Sequence, residues 1–387
     1  MIKWVLAKQR MQYQNVCLES IGYEIPEEVL SSMEIEMRLR PLYERLRLPE
    51  GRLELMTGIR ERRLWPREML PSEKSIESAE RAIRISGIDR SEIGALIHGS
   101  VCRDYLEPAT AARVHHRLDL PEECLICDVS NACLGLLNGI VQIANMIELG
   151  QIRAGLVVGT EGSRQLVENT IATLNKEVNL TRKQIKSAVA SLTIGSGSCA
   201  ILLVHRELSH SRNRLCSAAV RAKTEYHDLC HSGRDEAVGD GMKPLMETDS
   251  EKLMHHGIQA GVDTFRHFLQ MNNWTIADIG KTVCHQVGLT HRKLMLEALE
   301  IDPEIDYATV EWLGNTGSVA LPLSLAIGLQ CGHFSRNDLI AMLGIGSGIN
   351  SLMLSVLWDQ TLVSGNADDQ LLESLRSSRS NIIATPG

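Results

Sequence analysis

The chain has 387 residues, 44% of them hydrophobic, and a formal charge of -8 at pH 7. That length fits two or three ordinary domains or one large duplicated one. The acidic balance, with no long basic run, argues against nucleic acid or an anionic membrane as a main partner.

The opening MIKWVLAKQRMQ is too short and too charged for a secretory leader. No run of about 18 apolar residues occurs, so no membrane span is expected. Aromatic residues make up only 4%, so the core is expected to be aliphatic, as suits layers of helix and strand. A helical pattern at 75–87 is followed by strand-like ALIHGSV (95–101) and CLICDV (124–129), then by a helix at 134–149. Strand-like AGLVVG (154–159), a helical stretch at 181–192 and strand-like CAILLV (199–204) complete the first half. The second half offers a strand, IGKTVC (279–284), a helix from near Thr290, and strands LIAML and SLMLSVL around the turn GIGSGIN (344–350). Alternation of the two periods predicts an α/β fold with helices covering sheets.

The halves resemble each other. RLDLPEE before Cys133 matches LEIDPEI before Asn315 at an offset of 182, which also maps Gly150 onto Gly332. GSGSCAILLV from Gly195 matches GSGINSLMLSV from Gly346, and LIHGSV around His98 matches VCHQVG around His285. Three matches in one order predict a duplication: an N-terminal half over 1–210, its boundary in the polar stretch near 205–220, and a C-terminal half over 211–358. The first half carries an extra stretch at about 161–194, for which two readings stand: a cap over a substrate channel, or a surface helix pair or dimer contact. Residues 359–387 read as a polar tail outside the fold.

The ten cysteines are scattered, several in apolar strands. Cys124 and Cys127 form a C-x-x-C, but no second pair stands at zinc spacing, so neither a metal nor a disulfide framework is expected. They read as reduced thiols of a cytoplasmic protein.

Cys133 stands apart. It lies in a turn after a strand and before a nearly all-apolar helix, DVSNACLGLLNGIVQIANMIEL (128–149). Free N–H groups and partial positive charge at a helix start favour thiolate, so a lowered thiol pKa and a nucleophilic role are expected; the bland alternative is a packing cysteine. His285, at the end of the matching strand in the second half, is placed to take the thiol proton and return it to a carbonyl oxygen. Asn315, the repeat partner of Cys133, offers an amide donor to a developing oxyanion, or else a helix cap. Backbone N–H groups of Gly346, Ser347 and Cys133 itself are expected to form the thioester oxyanion hole. Because the GIGSG turn leads into a strand, a dinucleotide-binding loop is excluded.

Cys133 in DVSNACLG, His285 in CHQVG, Asn315 in GNTGS, the late GIGSG and TGIRERR (57–63) together resemble the 3-oxoacyl-acyl-carrier-protein synthase III enzymes of the thiolase superfamily, from about residue 12 to 358. The resemblance implies the duplicated five-layered αβαβα thiolase fold, a homodimer, Cys133 as acyl acceptor, and His285 and Asn315 at the second oxyanion site. SVCRDYLEPATA (100–111) narrows the match, since it looks like the OleA-type thiolases of olefin biosynthesis. That likeness implies head-to-head condensation of two long-chain acyl-CoA molecules to a 2-alkyl-3-oxo acid, further olefin-pathway enzymes downstream, and no cofactor beyond the coenzyme A of the substrates. It makes Glu107 the base for the second acyl chain, reaching across the dimer into the partner's site. An unactivated thioester needs such a base, whereas a malonyl donor makes its carbanion by losing carbon dioxide; without the resemblance Glu107 reads as an exposed loop acid.

Two departures from synthase III stand out. His285 is followed by Gln286, Val287 and Gly288 where those enzymes have Gln-Ala-Asn, and Arg52 and Met56 stand where they carry a Trp and an Arg for the CoA adenine. The alternatives are a synthase III condensing an acyl-CoA primer with a malonyl thioester, a hydroxymethylglutaryl-CoA synthase, and a non-catalytic acyl-binding partner.

Overall fold

A computed structural model describes residues 11–180, 182–232 and 246–382. The opening segment, read above as no leader, lies outside these residues up to position 10. Strands of the first half are β1 (Val16–Glu24), β2 (Ile93–His98), β3 (Leu125–Asp128), β4 (Ala154–Glu161) and β5 (Gly197–His205). Those of the second are β6 (Arg214–Ala222), β7 (Lys281–Cys284), β8 (Leu339–Gly346) and β9 (Asn350–Leu357). Their spatial order is β7-β8-β9-β6-β1-β5-β4-β2-β3. Between β6 and β1 only Cys17 and Arg214 pair, so the path divides there into two sheets.

Each sheet runs in the same order: first, fifth, fourth and second strand, then, in the first half, the third. In the second half the third strand shrinks to one bridge, between Thr282 and Asp306. Asn315 is consequently not preceded by a strand, as the repeat predicts, but by a short helix, Val310–Leu313.

The helices of the layers and of the extra stretch are α1 (Pro71–Ser86), α2 (Thr110–Arg117), α3 (Gly135–Glu148), α4 (Arg164–Lys176), α5 (Arg182–Val189), α6 (Ser250–Asn272), α7 (Leu289–Leu299) and α8 (Ala320–Gln330). α3 and α8 share one apolar core with strands of both sheets, including Ile97, Ile201, Met342 and Leu354. α1 and α2 cover the outer face of the first sheet, and α6 and α7 that of the second. The result is five layers: helices, sheet, helices, sheet, helices. α3 is fixed by its sequence, which buries Leu136, Leu137, Ile140, Ile143 and Ile147 on one side and exposes Gln142 and Asn145 on the other. Each such aliphatic contributes roughly 1.5–3 kcal/mol when fully buried, so the helix that follows Cys133 is held rigidly.

The extra stretch of the first half forms α4 and α5. With Leu30, Ile35, Leu42 and Leu53 they make a fourth apolar cluster beside the five layers. The stretch after Trp358 departs from expectation. Val363–Gly365 pairs with β1, and the helix Asp369–Ile382 sets Leu371 and Leu375 into the central core. Two leucines one helical turn apart suffice to dock it, a signal its polar composition hides; residues 383–387 lie outside the described residues. No helix of the described residues is long and apolar enough to cross a membrane.

Candidate active site

Cys133 sits at a tight elbow between β3 and α3. Asn131 bridges to Cys133, the Leu134 N–H donates to the Asn131 carbonyl at 2.9 Å, and Ala132 is held at φ 45°. A left-handed backbone costs a non-glycine residue about 1–2 kcal/mol, and such strain persists where surrounding packing over-determines it. Here Leu134 is buried in the central core directly after the nucleophile.

Cys133, His285, Asn315, Gly346 and Ser347 all line one cavity of about 690 Å³. A Cβ placed on Gly346 would stand 3.6 Å from the Cys133 amide nitrogen, so the two backbones expected to form the thioester oxyanion hole lie side by side. The Asn315 Oδ1 accepts the Gly317 N–H at 3.0 Å. With its oxygen engaged, the amide is left to donate to whatever occupies the cavity.

The thiol departs from expectation. Burial, then the charges of Glu161 and Cys230, push the Cys133 pKa up to about 12. The helix start does not lower it, because α3 begins two residues later, at Gly135, and desolvation of a thiolate at this depth outweighs what the helix end offers. His285 is pushed down to about 3 by burial and then by His291 beside it; burial takes His291 down to about 4. Both imidazoles are therefore neutral at pH 7, and neither Nδ1 has a hydrogen-bond partner among the described residues. A neutral thiol facing a neutral imidazole is a pair in which the proton moves only as the nucleophile attacks.

Local sequence explains these placements. The Gln286 amide donates to the Tyr307 carbonyl at 2.9 Å and accepts the N–H groups of Thr309 and Val310. One side chain thus ties the His285 strand end to the segment leading to Asn315. A Cβ on Gly288 would come 2.8 Å from the Thr57 carbonyl oxygen. Where synthase III enzymes carry an asparagine, this chain has no room for a side chain at all.

Glu107 is not brought into this cavity. It is exposed, on the loop between β2 and α2, while Val101 and Cys102, at the root of that loop, do line the cavity. Leu166 of α4 and Lys186 and Val189 of α5 line it as well, together with Leu253 and Met254 of α6. The extra stretch therefore contributes wall to the cavity. Cys124 and Cys127 are free, as are the other eight cysteines, and no group of metal-ligating side chains occurs among the described residues.

Sequence reasoning missed Glu161, His291, Cys102 and Cys230, all of which line the cavity. Glu161 had a readable signal: it ends β4, which runs parallel to β2 and so delivers its last residue to the rim where Cys133 stands. Cys102 lies in the loop after β2, Cys230 in a two-residue strand paired with Glu247–Thr248 and His291 in α7, so only the folded chain brings the three together.

Comparison with known proteins agrees with this geometry. Residues 56–238 match the thiolase N-terminal domain, and residues 269–358 match the C-terminal domain of 3-oxoacyl-[acyl-carrier-protein (ACP)] synthase III. The chain is 41% identical, over 90% of its length and all of the relative's, to the acyl-CoA:acyl-CoA alkyltransferase of Shewanella oneidensis, and 33% identical over 90% of its length to that of Xanthomonas campestris. A crystal structure of Xanthomonas campestris OleA superposes with a TM-score of 0.85 at 32% identity, covering 90% of this chain and 98% of that one. Structures of that protein include a cysteine-to-alanine variant, glutamate and histidine variants, and a cerulenin-bound form. The chain belongs to the OleA-type condensing enzymes of the thiolase superfamily and is an acyltransferase.

Proposed function

We propose that this enzyme condenses two long-chain acyl-CoA molecules head to head, without decarboxylation, and releases a 2-alkyl-3-oxo acid for olefin formation. The observation that carries the reading is the convergence of Cys133, His285 and Asn315 on one cavity walled by apolar residues of α4, α5 and α6. Such a cavity suits an acyl chain, and the alkyltransferase relatives name the substrate class.

In the first stage the Cys133 sulfur attacks the thioester carbonyl of one acyl-CoA. Its proton passes to neutral His285 and then to the departing CoA thiolate. Backbone N–H groups beside Gly346 and at Cys133 receive the oxyanion. In the second stage Glu107 removes an α-proton from the second acyl-CoA, and His285 and the Asn315 amide hold the enolate oxygen. The α-carbon attacks the acyl-Cys133 carbonyl, a carbon–carbon bond forms, and the carbon–sulfur bond to Cys133 breaks. Water then hydrolyses the thioester of the product.

Glu107 acts from a second copy of the chain. Supporting this, its loop exposes Val101, Tyr105 and Leu106, and the neighbouring edge strand β3 exposes Leu125 and Ile126. An open strand edge flanked by exposed apolar side chains is a surface for a partner strand. A malonyl-using synthase III is the competing reading, and Gly288 counts against it, since the space of the synthase asparagine is filled by backbone.

The test supplies a long acyl-CoA alone, with no malonyl donor, and extracts for mass spectrometry. The expected product is a 2-alkyl-3-oxo acid or the ketone left when it loses carbon dioxide. Glu107→Ala should still release CoA once per site but yield no condensed product. Product appearing only after a malonyl thioester is added would overturn the proposal. The pH dependence has a defined sign: with the thiol at about 12, Cys133 alkylation by iodoacetamide should climb about tenfold per pH unit from 7 to 9, with no plateau.

A further inference from the structure

Glu161 is a buried carboxylate facing the cavity, and no cation pairs with it among the described residues. A buried charge without a counterion is costly unless donors surround it, and those donors come from two sides of the cavity. The Val101 N–H donates to Oε1 at 3.0 Å and the Cys102 N–H to Oε2 at 3.4 Å. From the other side the Ser318 hydroxyl donates to Oε1 at 2.5 Å and its N–H at 3.4 Å. Val101 and Cys102 root the loop that carries Glu107. Ser318 follows Gly317, whose N–H holds the Asn315 side chain.

Two further carboxylates pin the same loop. The Asp104 Oδ1 accepts the Ser72 N–H at 2.9 Å, and Asp128 accepts the N–H groups of Thr110 and Ala111 at 2.7 and 2.9 Å. Those two anchor the loop to neighbouring elements of the first half only. Glu161 alone of the three joins it to the turn carrying a proposed catalytic group of the second half.

We infer that Glu161 is a positioning residue that fixes the root of the Glu107 loop to the turn after Asn315, so that the base presented to one site and the oxyanion donor of the other share a frame. The inference rests on the reading of Glu107 as the base for the second acyl chain. Its signature is a split between stages: acylation of Cys133 does not use Glu107, whereas carbon–carbon bond formation does. A misplacement of about 1 Å can cost about 10²-fold in a positioned reaction. The Glu161 charge also raises the Cys133 thiol, so its removal should make that thiol more acidic.

The experiment compares Glu161→Gln with wild type in three readouts: first-turnover CoA release, condensed product, and hydrogen exchange over residues 100–107. CoA release should stay within about threefold while product falls about 10²-fold, exchange at Val101 and Cys102 rises, and the pH profile of Cys133 alkylation moves to lower pH. A fall of both stages in step, unchanged product formation, or unchanged exchange at those two amides would overturn the inference. Ser318→Ala removes one arm of the clamp without a buried charge change and should lower product about tenfold with CoA release intact; it decides the matter if Glu161→Gln does not fold. If wild type condenses only with a malonyl thioester, the proposed function fails by itself, and the exchange and alkylation readouts still decide the clamp.

Discussion

The two halves of the molecule are built to one strand order and used for different work. His98 is the last residue of the second strand of the first sheet, and His285 directly follows the matching strand of the second. His98 is buried and shares a hydrogen bond with the Ser75 hydroxyl at 3.2 Å, so it is a satisfied member of the first sheet's covering. His285 borders the cavity, and its Nδ1 has no hydrogen-bond partner among the described residues. Burial lowers both, His98 to about 4 and His285 to about 3, so what separates them is access, not protonation. The third strand separates the halves again. In the first half β3 leads to Cys133, and among the described residues no strand pairs with its outer edge, where Leu125 and Ile126 are exposed. In the second, that strand is replaced by Asp306, whose carboxylate accepts the Thr282 hydroxyl and the Cys284 N–H at 2.9 Å each and pairs with buried Arg292 at 2.6 Å. The two sheets thus keep one frame and differ at strand ends: one edge carries exposed apolar side chains and the other is closed by a buried ion pair.

The largest effect should come from exchanging roles between the histidines. His285→Asn should lower condensation by about 10²–10³-fold, the scale for loss of one positioned oxyanion donor, and leave the denaturation midpoint near wild type. His98→Ala should do the reverse. It removes one of two partners of the buried Ser75 hydroxyl, the other being Thr160 at 2.7 Å, and empties a buried ring site; it costs about 0.5–3 kcal/mol of stability and leaves CoA release per folded molecule unchanged. Activity assays beside urea denaturation decide it; equal effects of both substitutions on activity would erase the distinction.

The sealed edge gives the next largest effect. Asp306→Ala leaves Arg292 charged and buried without a counterion, and breaking such a pair costs about 3–5 kcal/mol. Replacing both, as Asp306→Ala with Arg292→Met, should recover part of that loss. Leu125 occupies the register of Asp306: it pairs with Ala95, three residues before His98, as Asp306 pairs with Thr282, three before His285. Leu125→Glu should change the stability of an isolated chain by less than about 0.5 kcal/mol, as exposed substitutions do, but shift the oligomer toward monomer in sedimentation. An oligomer untouched by Leu125→Glu would mean that the open edge is not where the second copy sits.

This contrast also explains what the sequence could tell. The α/β layering was legible because apolar β2, β4 and β5 and the one-sided α3 carry unmixed periods. Cys133, His285 and the GIGSG turn were legible because each falls at or just beyond a strand end, and strand ends share a rim; Asn315 was legible from the repeat alone, since a short helix and not a strand precedes it. The missing third strand was not legible: the repeat LEIDPEI copies its flank, but Asp306 finds Arg292 only across a folded helix. The Cys133 pKa went the wrong way for a related reason. Local sequence reveals the helix start but not the depth of the cavity or Glu161, which arrives from another strand. The helix after residue 368 was hidden by its charge, since the two leucines that dock it form too short a pattern to outweigh polar composition.

Two glycines test the duplication where no chemistry intrudes. Gly150 and Gly332, matched by the repeat, follow α3 and α8 and adopt φ of 71° and 72°. A side chain at either would meet open space, so any cost is backbone strain alone. Gly150→Ala and Gly332→Ala should each cost about 1–2 kcal/mol, the left-handed penalty of a residue with a Cβ. Asn, which tolerates that region better, should cost less at both. Because the Gly150 and Gly332 N–H groups bond to different partners, Ile147 and Leu329, and a Cβ at either meets nothing within 4 Å, the double variant should add within about 0.5 kcal/mol. Unequal costs would mean that the two helix ends, alike in backbone, differ in how far the chain beyond them can yield.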